Sequence, residues 1–127
     1  MMKEGGERLT CAVLCYAVTL DLDGANDVAE AAKTFRFVNP TAGRTLDDLS
    51  DDVPMFVTRS GRDETPGLND ALDRFVSHAV RRNLPLTFVN HRDAPHAFDL
   101  LHDSDTSREI ITRIVAFLRF HLLGCFS

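Results

Sequence analysis

The apolar residues of the chain fall into three short runs that predict strands. The first run, residues 9–20, is almost continuously apolar and ends at Asp21. The second and third, residues 53–58 and 86–89, are shorter and contain Val, Phe and Thr. A continuous apolar run like the first is typical of a strand covered on both faces, as in parallel sheets. The pattern therefore predicts three strands, the first of them buried on both faces.

Apolar positions that recur every three to four residues predict a helix between the second and third strands. Thr65 followed by Pro66 favours a helix start, with the threonine hydroxyl as cap and proline at the first helical position. Asn83 suits the left-handed residue that ends a helix. One face of this predicted helix is apolar, and its members are Leu68, Leu72, Phe75 and Ala79.

A final helix is predicted after the third strand. Thr106 and Glu109 have the spacing of a capping box, in which each side chain bonds the backbone of the other. The residues expected to pack on the sheet form a wide apolar face: Ile110, Ile111, Ile114, Val115, Phe117, Leu118 and Leu122. A shorter helix over 27–35 and a helical turn over 46–49 are also expected.

The order of these elements is strand, linking region, strand, helix, strand, helix. Strands that alternate with helices predict an α/β fold, here a small parallel sheet of about three strands with flanking helices. The length of 127 residues is that of one domain, so we expect residues 1–127 to form a single domain.

Composition and charge exclude several classes of protein. The net charge is −5, and acidic and basic residues are interleaved, which argues against a nucleic-acid-binding surface. No apolar run reaches the roughly 18 residues of a membrane span. Cys11, Cys15 and Cys125 form no tight metal-binding pair, and the first two lie in an apolar run that predicts burial. Reduced, buried thiols favour a cytoplasmic protein.

Polar side chains follow the second and third predicted strands. Asp63 lies in the loop after the second strand, and His96 lies in the loop after the third. Adjacent parallel strands are about 5 Å apart, so these loops can bring the two side chains together. An aspartate bonded to one imidazole nitrogen fixes the tautomer and stabilises the imidazolium, which makes the other nitrogen a general base.

These motifs resemble the end of α/β-hydrolases of the dienelactone hydrolase and esterase type. The resemblance rests on Gly61-Arg62-Asp63-Glu64 after a strand, then an amphipathic helix, another strand and Pro95-His96-Ala97-Phe98. It covers about residues 9–123. It implies a partial α/β-hydrolase fold and hydrolysis of ester-like acyl bonds by a nucleophile–histidine–acid triad. Asp63 matches the acid, His96 matches the histidine, and no cofactor is implied.

The chain departs from the family in one large respect. Neither Gly-x-Ser-x-Gly nor Gly-x-Cys-x-Gly occurs in it, and by the resemblance the nucleophile would lie before residue 1. Ser60 is near the acid but lacks the flanking glycines of a nucleophile elbow. The chain is therefore expected to be a truncated hydrolase that is inactive alone and acts on a small ester-like substrate only when an upstream segment completes it.

Other interpretations remain open on the sequence. Glu64 is a rival for the acid role because it is adjacent to Asp63. A non-catalytic module for protein interaction fits the missing elbow, and the first strand, without its family neighbour, predicts self-association through an unpaired edge. A metal site is a further alternative, with the potential ligands His91, Asp93, His96 and His102.

Overall fold

In the described part of the chain, three parallel strands form one sheet. The computed structural model describes residues 9–15, 33–36 and 48–123. The strands are β1 (Ala12–Cys15), β2 (Met55–Ser60) and β3 (Leu86–His91), and β2 lies between the other two. The predicted α/β class with a small parallel sheet is therefore confirmed.

The sheet carries helices on both faces. Helix α1 (Leu68–Arg81) connects β2 to β3, and the short helix α2 (Phe98–Leu101) and the long helix α3 (Asp105–Leu122) follow β3. Alternate residues of β2 point to opposite faces. Met55 and Val57 face α1, whereas Phe56 faces α3 and stacks edge-on against Phe117 with the ring centroids 5.5 Å apart.

Burial differs between the central strand and its neighbours. Five of the six residues of β2 are buried, whereas β1 is half-buried throughout and β3 exposes three of its six residues. The prediction that the first strand is buried on both faces is therefore wrong for its described part. Of the described strands, only β2 has a partner on both sides, which explains the difference.

Helix α1 packs as its periodicity predicts, but it begins differently. Its four predicted apolar residues are all buried, and Asn83 ends the helix in the left-handed conformation with φ 55°. The predicted cap at Thr65 is wrong. The helix begins at Leu68, after Gly67 with φ 75°, and no side chain caps it. Glycine reaches this backbone conformation without strain, so the chain turns into the helix there rather than at Pro66.

Helices α2 and α3 form a second, smaller core on the other face. Its buried members are Ala94, Phe98 and Ile110, and Val89 and Ile114 pack against them. Helix α2 was not predicted. Ala97, which precedes it, has φ 57°, so the chain reverses there and brings Phe98 into the core.

Helix α3 corrects two predictions. It begins at Asp105, because the Ser104 hydroxyl accepts a hydrogen bond from the Ser107 N–H at 3.1 Å, so the capping box at Thr106 is wrong. The predicted apolar face is also too wide. Only Ile110 is buried, the residues at 114, 117 and 118 are half-buried, and those exposed to solvent are Ile111, Val115 and Leu122. The sheet packs against one side of α3, and these three exposed residues lie outside that contact.

The remaining sequence predictions concern segments that the structure describes only in part. Residues 33–35 are helical, and the rest of the predicted helix over 27–35 lies outside the described residues. Leu49 is buried in the core beside α1, whereas residues 46–47 and 16–20 are not described. In the part of the chain that the structure describes, no helix combines the length and the apolar character needed to cross a membrane.

Candidate functional site

The site is built from the two loops that leave β2 and β3 at the same end of the sheet. Ser60 and His91 are paired across these parallel strands, so the two loops start side by side. Asp63 follows in the first loop and His96 in the second. Because both loops begin at the carboxyl end of the sheet, their side chains converge as the sequence predicts.

Backbone hydrogen bonds join these loops. The Gly61 N–H donates to the His91 carbonyl at 2.9 Å, and the Arg62 N–H donates to the Ala94 carbonyl at 2.9 Å. The contact is so close that a Cβ on Gly61 would lie 2.5 Å from the Arg92 carbonyl oxygen. Only glycine permits this approach, so residue 61 holds the two loops at the separation that the site requires.

Asp63 and His96 form the central contact of the site. The Nδ1 atom of His96 lies 2.6 Å from Oδ2 of Asp63. The Asp63 side chain is fully buried, whereas 45% of the His96 side chain is exposed. The predicted contact between these residues is therefore confirmed, and it joins a buried carboxylate to a ring that solvent can reach.

The second oxygen of Asp63 is also bonded. Oδ1 accepts the Thr65 N–H at 2.9 Å, so the carboxylate bonds both the loop and the histidine. Burial alone would raise the pKa of Asp63, but the hydroxyl and N–H of Thr65 and the ring of His96 outweigh that effect and hold the pKa below its usual range. Asp63 is therefore ionised at neutral pH.

This geometry defines what the pair can do chemically. An ionised carboxylate at 2.6 Å favours a proton on Nδ1 of His96, which leaves Nε2 as the basic nitrogen. When Nε2 accepts a proton, the imidazolium is stabilised by the negative charge of Asp63. The arrangement is that of a general base with its orienting acid.

The rival site residues lie elsewhere. Glu64 is exposed, and the carboxylate in contact with His96 is that of Asp63. Ser60 is fully buried, so its hydroxyl is not accessible to a substrate. Within residues 9–15, 33–36 and 48–123, no group of three or more potential ligands could hold a metal ion. Of the candidate ligands, Asp93 lies 3.6 Å from Arg62.

Of the described cysteines, Cys15 does not provide a reactive thiolate. Cys15 lies at the end of β1, opposite Thr58 of β2, and is half-buried, as is Cys11. Burial raises the pKa of the Cys15 thiol, and the charge of Asp99 acts in the same direction, against a hydrogen bond with Thr58. The thiol is therefore protonated at neutral pH and poorly nucleophilic. Cys125 lies outside the described residues.

Two supporting residues were missed from the sequence. One is Gly61 as a contact point between the loops, which its position directly after a strand signals. The other is Ser107, whose hydroxyl lies 3.0 Å from Nε2 of the buried His91. The Ser104-x-x-Ser107 spacing indicates a helix start, but nothing in it indicates a partner 16 positions earlier in the chain.

Comparison with known proteins leaves the site to be interpreted from its own geometry. No protein-family model, curated protein or solved structure matches this chain.

Proposed function

We propose that this chain supplies the acid and the histidine of a hydrolase site that cleaves ester-like acyl bonds through a nucleophile–histidine–aspartate triad. One observation carries the proposal: the buried, ionised Asp63 lies 2.6 Å from the half-exposed His96 at the carboxyl ends of neighbouring parallel strands. The resemblance of the loop motifs to α/β-hydrolases supports the same conclusion.

In the proposed reaction, His96 transfers protons and Asp63 orients it. Asp63 holds the proton on Nδ1, and Nε2 removes a proton from a serine or cysteine nucleophile. The nucleophile attacks the acyl carbon and forms an acyl intermediate. His96 then returns the proton to the leaving oxygen, and in the second half it activates the water that releases the acid.

In this proposal the nucleophile comes from a segment other than the described residues. The chain contains no nucleophile elbow, and Ser60 is buried. The oxyanion hole of such enzymes also depends on the backbone after the nucleophile. We therefore propose that an upstream segment of the same reading frame supplies both groups.

The test is hydrolysis of p-nitrophenyl acetate by the chain alone and by the chain joined to the segment encoded directly upstream. We expect activity only in the longer protein. In the longer protein, Asp63→Asn should lower kcat by about 10⁴-fold, because it stabilises the wrong tautomer of His96. His96→Ala should leave only the residual rate that the oxyanion hole supports. Glu64→Gln is the matched control, since it neutralises the adjacent exposed carboxylate, and it should leave kcat unchanged.

The missing elbow also favours a second candidate, a non-catalytic module that acts in protein interaction. An upstream segment without an elbow, or a longer protein without esterase activity, would support that candidate and contradict the triad. Robust turnover by the chain alone, lost in His96→Ala, would show instead that the nucleophile lies within these 127 residues.

A further inference from the structure

A second histidine, His91, is buried at the end of β3, where the loop that carries His96 begins. It is the last residue of β3 and is 2% exposed. Its carbonyl accepts the N–H of Gly61 at 2.9 Å and that of Ala94 at 3.2 Å. The backbone of His91 therefore closes the loop that carries His96 and also joins it to the loop that carries Asp63.

The side chain of His91 binds the helices that follow. Its ring stacks edge-on against Phe98 of α2 and against His102, with centroid distances of 5.4 Å and 5.3 Å. Its Nε2 atom lies 3.0 Å from the Ser107 hydroxyl in the first turn of α3. We call these residues, together with Ser104, the His91 cluster. The same residue thus connects the site loops through its backbone and α3 through its ring.

The surroundings of the His91 ring favour its neutral form. Nε2 of His91 lies 3.0 Å from the Ser107 hydroxyl, which also accepts a hydrogen bond from the Ser104 hydroxyl at 3.1 Å. The other ring nitrogen, Nδ1, is a buried atom that has no hydrogen-bond partner among the described residues. A protonated ring carries an N–H on both nitrogens, so it would place an unpaired, charged donor in the core.

The charges around His91 also disfavour protonation. Burial lowers the pKa of His91, the neighbouring His102 lowers it further, and Asp93 acts in the opposite direction. Asp93 is largely exposed and lies 3.6 Å from Arg62, which weakens its attraction. The contacts from the other elements, Phe98 on α2 and Ser107 on α3, carry no charge.

We propose that His91 is a positioning residue for the Asp63–His96 pair, and that its protonation in mildly acidic solution loosens α3 from the end of β3 and frees the loop that carries His96. The catalytic consequence rests on the function proposed above, but the structural response does not. The Asp63–His96 pair is then sensitive to acid because of His91, a residue that takes no part in the proposed reaction.

The test is amide hydrogen exchange, measured by NMR from about pH 7.5 to about pH 5.5, a range that spans the ordinary histidine pKa of about 6.5. Rates are corrected for the intrinsic pH dependence of exchange. Opening at Gly61, Ala94 and Arg108 should rise as the pH falls, by up to about tenfold per pH unit because one proton is taken up. The Met55 N–H, bonded to Pro85 away from the cluster, should show no such rise.

The variant His91→Gln tests the cause, because its side-chain amide can form a hydrogen bond with the Ser107 hydroxyl but does not titrate. Its exchange at Gly61 and Ala94 should not depend on pH in this range. His121→Gln, which removes a histidine near the far end of α3, is the control and should keep the wild-type profile. A pH response that persists in His91→Gln, or a flat profile in the wild-type protein, would overturn the proposal.

If His91→Gln does not fold, the wild-type protein still decides the question. The ring ¹⁵N shifts of His91 must change at a lower pH than the onset of opening at Gly61 and Ala94, because the lowered pKa keeps the ring of the closed state neutral at that onset. An opening that follows the ring shifts of His96 instead overturns the proposal. If the completed enzyme has no esterase activity, the proposed triad is contradicted but the proposed role of His91 is not. The exchange experiment does not depend on hydrolysis.

Discussion

A Cβ on Gly61 would lie 2.5 Å from the carbonyl oxygen of Arg92, so the acid loop and the histidine loop touch through their backbones. Gly61→Ala must therefore push the loops apart. We expect it to cost about 1 to 3 kcal/mol of stability, the usual range for overpacking. It should also weaken the contact between Asp63 and His96, seen as loss of the downfield proton resonance of a short His–Asp hydrogen bond.

Gly67→Ala is the matched control for this experiment. Gly67 has φ 75°, and a Cβ there would meet no atom within 4 Å. Alanine at this position costs about 1 to 2 kcal/mol through backbone strain alone. The downfield resonance should survive in Gly67→Ala. Equal loss of the resonance in both variants would show that general destabilisation, rather than the loop contact, is responsible.

The lowered pKa of Asp63 predicts a pH dependence of stability. Because the pKa is lower in the folded protein than the ordinary value of about 3.9, the ionised group stabilises the fold above that value. This stabilisation is lost as the pH falls through the folded pKa. Asp63→Asn should therefore be destabilised most above about pH 5, and the difference from wild type should shrink in more acidic solution.

Denaturant unfolding at a series of pH values measures this difference. Glu64→Gln is the comparison, because Glu64 is exposed and adjacent to Asp63. A difference between wild type and Asp63→Asn that stays constant down to about pH 2 would show that the ionised carboxylate contributes nothing to stability.

Ile110 and Ile111 are neighbours on α3 with opposite surroundings. Ile110 is 3% exposed and packs with Phe98, whereas Ile111 is 37% exposed. Ile110→Ala should cost about 2 to 5 kcal/mol, the range for large-to-small substitutions in a core. Ile111→Ala should cost clearly less than Ile110→Ala, because more than a third of the surface of Ile111 is already exposed to solvent. Urea unfolding of both variants checks the prediction, and similar losses would mean that the helix is rotated about its axis.

The β1 edge predicts self-association through strand pairing. The Ala12 N–H donates to Pro54 beside β2, so the next residue, Val13, directs its N–H to the opposite edge. If that edge pairs with a second copy, light scattering should show a mass that rises with concentration. Val13→Pro removes the outward donor while keeping the bond of Ala12, and it should lower the association. A monomer at high concentration would contradict this prediction.

The sequence predicts the elements whose contacts follow a simple period. Leu68, Leu72 and Phe75 repeat at helical spacing, and all are buried against the sheet. Asp63 and His96 meet because both follow strands that prove to be neighbours. Local spacing alone determines which way the helix residues point, whereas the contact of Asp63 with His96 also requires the two strands to be adjacent.

The features that were missed depend on partners distant in the chain. Strand β3 extends to His91 because Asn90 and His91 pair with Arg59 and Ser60 through their backbones, which an apolar pattern does not register. The exposure of Val115 depends on how much of α3 the sheet covers. The bond between His91 and Ser107 requires two elements to dock, so neither residue indicates it alone.

The Asp63–His96 pair spans a single strand–helix–strand crossover, from β2 through α1 to β3. Its assembly needs closure of that one segment and no contact with β1. Contacts of modest sequence separation form early in folding, since they cost the least loop-closure entropy. Asp63 and His96 should therefore come into contact during folding before β1 pairs with β2. This crossover is thus the natural unit to transplant into another scaffold.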